Sequence, residues 1–456
     1  MLDKKKSEFI NEEEKLFTEV ESIQDEIQSK NLAFIENYLL YAHPADIAEA
    51  VEVLKEDDFL FLFRHCEEEK QRKIFVELSD EKQSVLVENL SLNELSIIIG
   101  QLESDEKTHF FSDLDKDKAE EILGTIGREE SRRIRLQLEY EEGTAGRMLN
   151  LDFAVIRTSD SMRKAIHSLR QTAKGMDIYI IYVVDELGML KGCVRLKDIL
   201  LASPKMKVYK LMKPVRPIHV NTHQEEVAKH FRKYDLVTAP VVDDEGRMIG
   251  RITVDDVLDI VQEEATKDIY GLAGVGEEET IKTSVWGSVK HRLLWLSTNL
   301  VIAMFTASIV SLFEDTIQKI VILASLMPIV AGMGGNAGTQ AITIMVRSLA
   351  TGELTNYNWF SAVRKEFMIG IINGLTIGLI TFIATYFIRF DLRISVVIGL
   401  AMLINLSIAG LIGSLVPLIL KFFKVDPAVA SSIFVTACTD MFGFFCFLGL
   451  AAKILT

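Results

Sequence analysis

Five long apolar segments in the C-terminal part of the chain constrain its fold more than any other feature. They extend over about Leu293–Phe313, Ile317–Val346, Phe367–Ile388, Ile394–Phe422 and Ala428–Leu455. A helix needs about 20 apolar residues to cross the hydrocarbon core of a bilayer, and each segment reaches that length. We therefore predict a multidomain membrane protein whose residues 291–456 form an α-helical five-span transmembrane domain.

The charge balance separates this part from the rest of the chain. Residues 290–456 carry a net charge of +4, whereas the whole chain carries −15, which leaves −19 for residues 1–289. The acidic part is predicted to be soluble, and its carboxylates argue against nucleic-acid binding, which requires basic surfaces. Its first residues lack the apolar core of a signal peptide, so we expect it to remain in the cytosol.

The distribution of Lys and Arg predicts the orientation in the plasma membrane. If the N-terminal part is cytosolic, the inner ends of the spans hold seven Lys and Arg residues and the outer ends hold four. This bias agrees with the preference of positive residues for the cytosolic side. An odd number of spans then places the C-terminus outside the cell.

Residues 1–142 show the apolar periodicity of short helices. Helix starts recur along them: Ser91 and Glu94 have the spacing of a capping box, and Pro44 fits the first turn of a helix. Short helices at this spacing predict an all-α superhelical domain. Most of its many acidic side chains are expected to form a solvated surface.

Two segments of the middle part repeat at an offset of 58 residues, Tyr182–Leu200 and Pro240–Leu258. Each indicates a strand, an Asp/Gly turn, a second strand and a helix opened by Asp198 or Asp256, with an amphipathic helix ahead of it. The pattern resembles a tandem pair of α/β CBS domains, at residues 143–205 and 206–267. CBS pairs usually regulate an attached channel or enzyme by binding nucleotides or ions.

One of the two repeats carries a nucleotide signature. Nucleotide-binding CBS repeats often have a Thr or Ser three residues before an Asp, and Thr253 with Asp256 fits that spacing, whereas the first repeat has Arg195 in the Thr position. The resemblance therefore makes Thr253 and Asp256 candidates for binding ATP. The alternative for Asp256 is a helix N-cap.

Residues 268–290 are predicted to connect the CBS pair to the first span. A charged helix is followed by the glycine-rich joint 271–276, and such a connector can transmit motion to a membrane domain. The alternative is a plain linker.

The second span contains polar residues that lipid would not tolerate. Asn336 and Gln340 lie among three glycines, and unpaired polar groups at membrane depth must face protein or water. Gly334 and Gly338, four residues apart, suggest a close-packing face as the alternative. That alternative explains the glycines but not Asn336 and Gln340.

The third span carries Gly370, Gly374 and Gly378 along one face, which is the spacing of close helix–helix contact. We predict that this glycine stripe serves packing and not chemistry.

The fifth span places a carboxylate, Asp440, roughly 18 Å into an apolar helix at 1.5 Å per residue. A buried carboxylate is costly, so Asp440 is expected to face a wet cavity or a cation. Thr436, one turn earlier, and Thr439 add oxygen atoms. The alternative is a protonated Asp440 bonded to a neighbouring helix.

A short acidic stretch begins at the end of the second CBS repeat, and Asp426 lies on a predicted cytosolic loop. Like charges repel when acidic surfaces approach, and a bound divalent cation would offset that repulsion. We predict regulatory metal ligands at Asp255, Asp256, Asp259, Glu263, Glu264, Asp268 and Asp426.

With these features in place, the chain resembles the MgtE-type magnesium channel/transporter family over nearly its full length. The matching stretches are His43-Pro-Ala-Asp-Ile-Ala-Glu, Thr144-Ala-Gly-Arg, Glu264-Ala-Thr, Gly334-Gly-Asn-Ala-Gly, Asp426-Pro-Ala-Val-Ala and Thr439-Asp440. The resemblance implies a homodimer with its pore on the two-fold axis and Asp440 in that pore. It also implies cytosolic Mg²⁺ sites that hold a closed state.

Two positions depart from the family pattern. The family usually has Asn where this chain has Thr339, and an acidic residue where it has Lys267. The first departure changes one pore contact, and the second is expected to weaken or remove one regulatory site.

The sequence thus predicts a Mg²⁺-selective channel for magnesium uptake, closed by cytosolic Mg²⁺, with pore residues Asp440, Asn336, Thr436 and Gln340. Mg²⁺ prefers oxygen ligands and loses water reluctantly, which suits a pore with few carboxylates. The alternatives are a carrier, a transporter of another divalent ion such as Mn²⁺ or Co²⁺, and a membrane-anchored nucleotide or ion sensor. The sequence has no nucleophile–base arrangement or phosphate-binding loop, which argues against an enzyme.

Overall fold

The computed structural model of the chain describes residues 23, 26, 31–172, 178–276, 279, 283–355 and 357–455. It contains two compact units, Met1–Leu258 and Asp259–Thr456. The predicted helical domain before residue 31 lies outside the described residues, apart from Ile23 and Glu26.

The described part of the first unit begins with nine short helices, which confirms the predicted all-α domain. They are α1 (Leu32–Tyr41), α2 (Pro44–Glu52), α3 (Glu56–Arg64), α4 (Glu68–Glu77), α5 (Asp80–Asn89), α6 (Leu92–Gln101), α7 (Ser104–Asp113), α8 (Lys116–Leu123) and α9 (Arg128–Leu138). Helix α2 packs on α4, α4 on α6 and α6 on α8, while α3 packs on α5 and α7 on α9. This contact of alternate helices is the packing of a superhelical stack.

Local sequence signals start several of these helices. Ser91 Oγ accepts from the backbone N–H of Glu94 at 3.3 Å, and Glu94 accepts from the N–H of Ser91 at 2.8 Å, so the predicted capping box is present. Pro44 is the first residue of α2. The helices then bury their apolar faces in one core, in which Phe59, Leu86 and Leu95 are inaccessible to solvent.

In the described residues of the CBS pair there are two three-stranded sheets, in the orders β1-β2-β3 and β4-β5-β6. In each sheet the first two strands are parallel and the last two antiparallel. The elements are β1 (Val155–Arg157), α10 (Met162–Thr172), β2 (Ile180–Val184), β3 (Leu190–Arg195), α11 (Leu196–Leu201), β4 (Ile218–His219), α12 (Gln224–Tyr234), β5 (Thr238–Val242), β6 (Met248–Thr253) and α13 (Val254–Ala273). The bounds of β2 and β3 and the first residue of α11 recur 58 residues later, which confirms the predicted repeat.

The two CBS modules exchange their flanking segments. The backbone N–H groups of Ala145 and Gly146 donate to carbonyls of the second module at 2.8 Å, and the segment 145–149 belongs to its core. Conversely, Met162 N–H bonds to Met206 O at 2.9 Å, and Val208 is buried in the core of the first module. Packing thus places residues 145–149 with the second module and Met206 and Val208 with the first, whereas the predicted bounds, 143–205 and 206–267, follow the order of the sequence.

Helix α13 runs without interruption from Val254 to Ala273, so no helix end coincides with the predicted boundary between residues 267 and 268. The glycine joint follows it, with Gly274 at φ +68°. Residues 277–278 and 280–282 of the predicted connector lie outside the described residues. The next helix begins at Val285, where Ser284 Oγ accepts from the N–H of Gly287 at 3.2 Å.

The second unit contains the predicted membrane spans. Its remaining helices are α14 (Val285–Ser311), α15 (Glu314–Lys319), α16 (Ile322–Ala350), α17 (Trp359–Arg389), α18 (Leu392–Phe422) and α19 (Pro427–Ile454). Five helices among the described residues are long and apolar enough to cross a membrane, as predicted. The sequence did not predict α15, a short helix between the first two spans.

Helix α18 is the central helix of this unit and packs against α16, α17 and α19. Its contact with α17 depends on the predicted glycine stripe Gly370, Gly374 and Gly378. A methyl carbon on any of these residues would lie 2.6–2.8 Å from a backbone carbonyl oxygen of α18. The stripe is therefore a packing surface, as the sequence predicted.

Candidate cation pathway and cytosolic carboxylate cluster

Asp440 lines a cavity of about 420 Å³ between α14 and α19. Helix α19 contributes Thr436 and Asp440 to its wall, and α14 contributes Asn299 and Thr306. The remaining lining residues are apolar: Ile302, Ala303, Ala307, Val310, Ala437 and Phe444. The cavity thus groups four oxygen-bearing side chains at one place on two membrane helices.

Helix α19, which carries Thr436 and Asp440, begins with an N-cap residue. Asp426 Oδ1 accepts from the N–H of Ala428 at 2.7 Å, and Pro427 is the first helical residue. Asp426 is therefore the N-cap of α19 as well as a predicted regulatory residue. Thr436 and Asp440 are one turn apart and share a helix face, because side chains four residues apart are neighbours.

Thr439 differs from the expectation that it adds an oxygen to the pathway. Its side chain is fully buried, and its Oγ1 donates to Thr436 O at 3.0 Å within α19. It faces Gly338 of α16, so its role is packing.

Helix α16 has one buried face that contains glycines and one exposed face that contains polar residues. Gly334 and Gly338 are buried against α18 and α19, which confirms the close-packing face for the glycines. Asn336, Thr339 and Gln340 lie on the exposed face of this helix. Neither Asn336 nor Gln340 is among the residues that line the Asp440 cavity, so within the single chain the structure does not bring the four predicted pore residues together.

In the first unit, Asp256 belongs to a carboxylate cluster that the sequence did not predict. Asn150 bridges two acidic residues at the start of α7: its Nδ2 donates to Glu103 and, at 3.1 Å, to Asp105 Oδ2. Burial, together with the charges of Asp256 and Glu103, raises the pKa of Asp105 well above its ordinary value. Burial also raises the pKa of Asp256 from 3.8 to about 6, and the charges of Asp255 and Glu103 add to the effect. Such a cluster is poised to bind a proton or a cation.

Thr253 and Asp256 interact directly with each other. The backbone N–H of Thr253 donates to Asp256 Oδ2 at 3.2 Å, and its hydroxyl donates to the same oxygen. Because α13 begins at Val254, Asp256 caps the helix from its first turn and is not the N-cap itself. In the first repeat Arg195 Nε pairs with Asp198 at 2.8 Å, so an ion pair replaces the Thr–Asp contact.

The other predicted regulatory acids lie along α13. Asp255, Asp259 and Glu263 are exposed, and Glu264 and Asp268 are partly buried. Glu264 lies 3.6 Å from Lys267 Nζ on the same helix. Lys267 therefore reduces the negative charge of this stretch, as its departure from the family pattern suggested.

A separate group of metal-ligand types, Asp80, His109 and Asp113, lies on the surface of the helical stack, with ligand atoms within 4.8 Å of one another. All three side chains are exposed. No further feature among the described residues of that surface points to a bound ion.

Three sequence models of protein families match the chain. MgtE, described as a divalent cation transporter, matches residues 327–450, the MgtE intracellular N domain matches residues 42–143, and the CBS domain matches residues 208–263. The magnesium transporter MgtE of Thermus thermophilus is 35% identical over 332 residues, which cover 71% of this chain and 73% of that protein. The chain belongs to the MgtE family.

Two further relatives agree with membership of the MgtE family. The magnesium transporter MgtE of Enterococcus faecalis is 34% identical over 329 residues, or 72% of each chain. The crystal structure of the cytosolic domain of the Mg²⁺ channel MgtE in complex with ATP matches with a TM-score of 0.51 and 29% identity, and it covers 53% of this chain and 99% of that one. The MgtE N-domain and CBS modules predicted from the sequence are thereby confirmed, and the chain is a membrane protein.

Four residues of the two candidate sites were not predicted from the sequence: Asn299 and Thr306 in the cavity, and Glu103 and Asp105 in the carboxylate cluster. Asn299 and Thr306 are seven residues apart, two helical turns, and a search for polar residues on one face of the first span would have found them. Glu103 and Asp105 had no such signal, because they resemble the many solvated acids of the helical stack.

Proposed function

We propose that this chain forms a homodimeric Mg²⁺-permeable channel for magnesium uptake, with Asp440 as the residue that attracts the ion. The observation that carries the proposal is the cavity in which Asp440 lies beside Thr436, Asn299 and Thr306 in otherwise apolar helices. A carboxylate at this depth is costly unless it faces water or a cation. The relatives are magnesium transporters by name, which agrees with that chemistry.

The composition of the cavity suits a hydrated ion. Mg²⁺ exchanges its water ligands reluctantly and is bound through one or two carboxylates with several waters retained. One carboxylate and three neutral oxygen-bearing side chains can hold such an ion through its waters. A fully dehydrating site would need more carboxylates than the described lining residues contain.

The exposed face of α16 supports the homodimer. Asn336, Thr339 and Gln340 form a polar stripe that is exposed in the single chain, and Thr343, one turn after Thr339, extends it. A polar stripe cannot face lipid, so it must contact protein or a water-filled path. A second copy related by two-fold symmetry would present the same stripe, and the two stripes would line a pore that includes Asn336 and Gln340.

We further propose that cytosolic Mg²⁺ closes the channel. The partly buried cluster of Glu103, Asp105 and Asp256 would bind Mg²⁺ in place of a proton. Weak sites along α13 and at the start of α19 would add to it through Asp255, Asp259, Glu263, Glu264, Asp268 and Asp426. A cation shifts the equilibrium only by its differential affinity for the closed state, so several weak sites acting together give a steep response.

ATP is proposed as a ligand of the second CBS module. Thr253 and Asp256 lie together at the end of β6, and a related MgtE cytosolic domain was crystallised with ATP. The N-terminal and CBS domains are proposed to be cytosolic and the C-terminus to lie outside. This topology follows from five spans and the distribution of Lys and Arg.

Ion flux into liposomes tests the proposed function. The purified protein is reconstituted with a Mg²⁺-sensitive dye inside, and uptake is compared for the native chain, Asp440→Ala and Asp315→Ala, an exposed acid outside the cavity. We expect Mg²⁺ uptake in the native protein and the Asp315 variant, and its loss in Asp440→Ala. Uptake of Mn²⁺ or Co²⁺ without Mg²⁺ would assign another divalent ion, and absence of all uptake would favour the sensor.

A further inference from the structure

Asn405 of α18 is buried completely among three membrane helices. Its Nδ2 donates to Val330 O of α16 at 2.8 Å, whereas its Oδ1 is buried without a hydrogen-bond partner among the described residues. A buried polar oxygen without a hydrogen-bond partner loses its hydration, which costs free energy. The amide at this position therefore calls for an explanation.

The carboxamide of Asn405 fills the space between two glycines on neighbouring helices. A methyl carbon on Gly443 of α19 would lie 2.8 Å from Asn405 Nδ2, and one on Gly334 of α16 would overlap the same atom. Asn405 is therefore a spacer whose carboxamide lies against both glycines. A larger residue at either glycine fits only if the Asn405 side chain is displaced or the helices separate.

The spacer lies close in sequence to the proposed pore residues on both helices. Gly443 follows Asp440 by three residues, less than one turn, and Gly334 precedes Asn336 by two. A change in the separation of α16 and α19 at the spacer would displace Asp440 relative to Asn336, because helices move as rigid elements over one turn.

We propose that Asn405 is a positioning residue that fixes the separation of α16 and α19 at the depth of Asp440, and thereby the selectivity of the pathway for small hydrated divalent cations. The inference rests on the proposed function, since selectivity has meaning only if the chain conducts ions. Selectivity in a pore depends on the spacing of its oxygen atoms, so a spacer residue outside the pathway can control it.

The first test measures helix separation without ion flux. In a background without the four native cysteines, Gly335 and Thr436 are replaced by Cys, because a methyl carbon on Gly335 would lie 4.0 Å from Thr436 Cγ2. We expect rapid oxidative cross-linking in membranes with Asn405 present, and a rate that differs by about tenfold with Asn405→Ala, because the separation of the two positions is then no longer fixed. The control is Ser414→Ala, a buried polar residue of α18 whose hydroxyl donates to Leu411 O of the same helix.

The second test measures the ratio of Mg²⁺ to Ca²⁺ uptake in liposomes. We expect Asn405→Ala to lower this ratio by about fivefold to tenfold, the effect of losing one buried hydrogen bond, while the dimer still assembles. Gly443→Ala should impair the native protein and be partly rescued by Asn405→Ala, which removes the overlap.

The outcomes separate the inference from the proposed function. If native protein transports Mg²⁺ but Asn405→Ala changes neither the cross-linking rate nor the ion ratio, Asn405 is a packing residue and the inference is overturned alone. If the native protein transports no cation, the proposed function and the inference both fall. Rescue of Gly443→Ala together with a lowered ion ratio supports the inference.

Discussion

Replacement of Asp256 by Asn should remove the part of the pH dependence of the contact between the helical stack and the second CBS module that comes from the titration of Asp256. Burial raises the pKa of Asp256 from 3.8 to about 6, so the folded protein binds this proton more tightly than the unfolded chain does. The stability of the contact therefore falls as the pH rises from 3.8 to about 6 and stays lower above that range. Asp105, whose pKa is also raised, acts in the same direction.

The magnitude follows from the pKa difference. Each pKa unit corresponds to about 1.4 kcal/mol, so a rise from 3.8 to about 6 costs about 3 kcal/mol at neutral pH. Asp256→Asn keeps the shape of the side chain but cannot ionise, which removes this cost. Bound Mg²⁺ would offset the same cost in the native protein, so the variant should also lose most of its stabilisation by Mg²⁺.

Hydrogen exchange on the full-length protein measures this free energy locally. The probes are the backbone hydrogen bonds between Asn150 and Arg251, at 2.8 and 2.9 Å, which join the segment beside the cluster to β6. In EDTA, the opening free energy should fall between about pH 4 and about pH 7.5 in both proteins, because Asp105 titrates in both. The fall should be about 3 kcal/mol smaller in Asp256→Asn than in the native protein. Asp117→Asn, at an exposed acid of the helical stack outside the cluster, is the control. Equal pH slopes and equal Mg²⁺ responses in Asp256→Asn and native protein would refute the reasoning.

Three further predictions concern packing, regulation and nucleotide binding. Gly374→Ala should lower the free energy of unfolding of the detergent-solubilised protein by about 1–3 kcal/mol through overpacking. Gly332→Ala, with open space around it, should leave that free energy unchanged, and equal effects of the two changes would contradict the packing role. Lys267→Glu should remove the pairing with Glu264 and lower the cytosolic Mg²⁺ concentration that halves the flux; an unchanged concentration would show that the departure has no regulatory effect. Thr253→Ala should weaken ATP binding in calorimetry, and unaltered affinity would exclude the Thr–Asp signature as the site.

The sequence predicted those parts of the fold that depend on local periodicity. Five apolar segments became five long helices, and the offset of 58 residues reproduced the strand bounds of the CBS pair. The glycine stripe Gly370, Gly374 and Gly378 was identified as packing because its four-residue spacing has one structural meaning on a membrane helix.

The sequence did not predict features that depend on residues distant in the chain. Asp105 and Asp256 are 151 positions apart, and nothing in their local sequences distinguishes them from solvated acids. The exchange of flanking segments between the CBS modules also depends on long-range contacts. Asn405 gave no signal, since a single Asn in an apolar segment does not show which glycines of other helices it contacts.

The candidate site illustrates the same limit. Depth along the helix identified Asp440 and Thr436, and the structure brings them together in one cavity. Their neighbours Asn299 and Thr306 come from α14, which the sequence treated only as an apolar span. Thr439 faces the packed side of α19 because it is one residue from Asp440, about 100° around the helix.

Single-channel recording with Mg²⁺ as the sole permeant cation tests the central claim most directly. The native protein in planar bilayers should show unitary Mg²⁺ currents, and these currents should be absent in Asp440→Ala protein that still assembles and folds like the native chain. Raising Mg²⁺ on the side of the cytosolic domain should lower the open probability of the native protein. Unitary Mg²⁺ currents of native size in Asp440→Ala would contradict the assignment of Asp440 to the cation pathway.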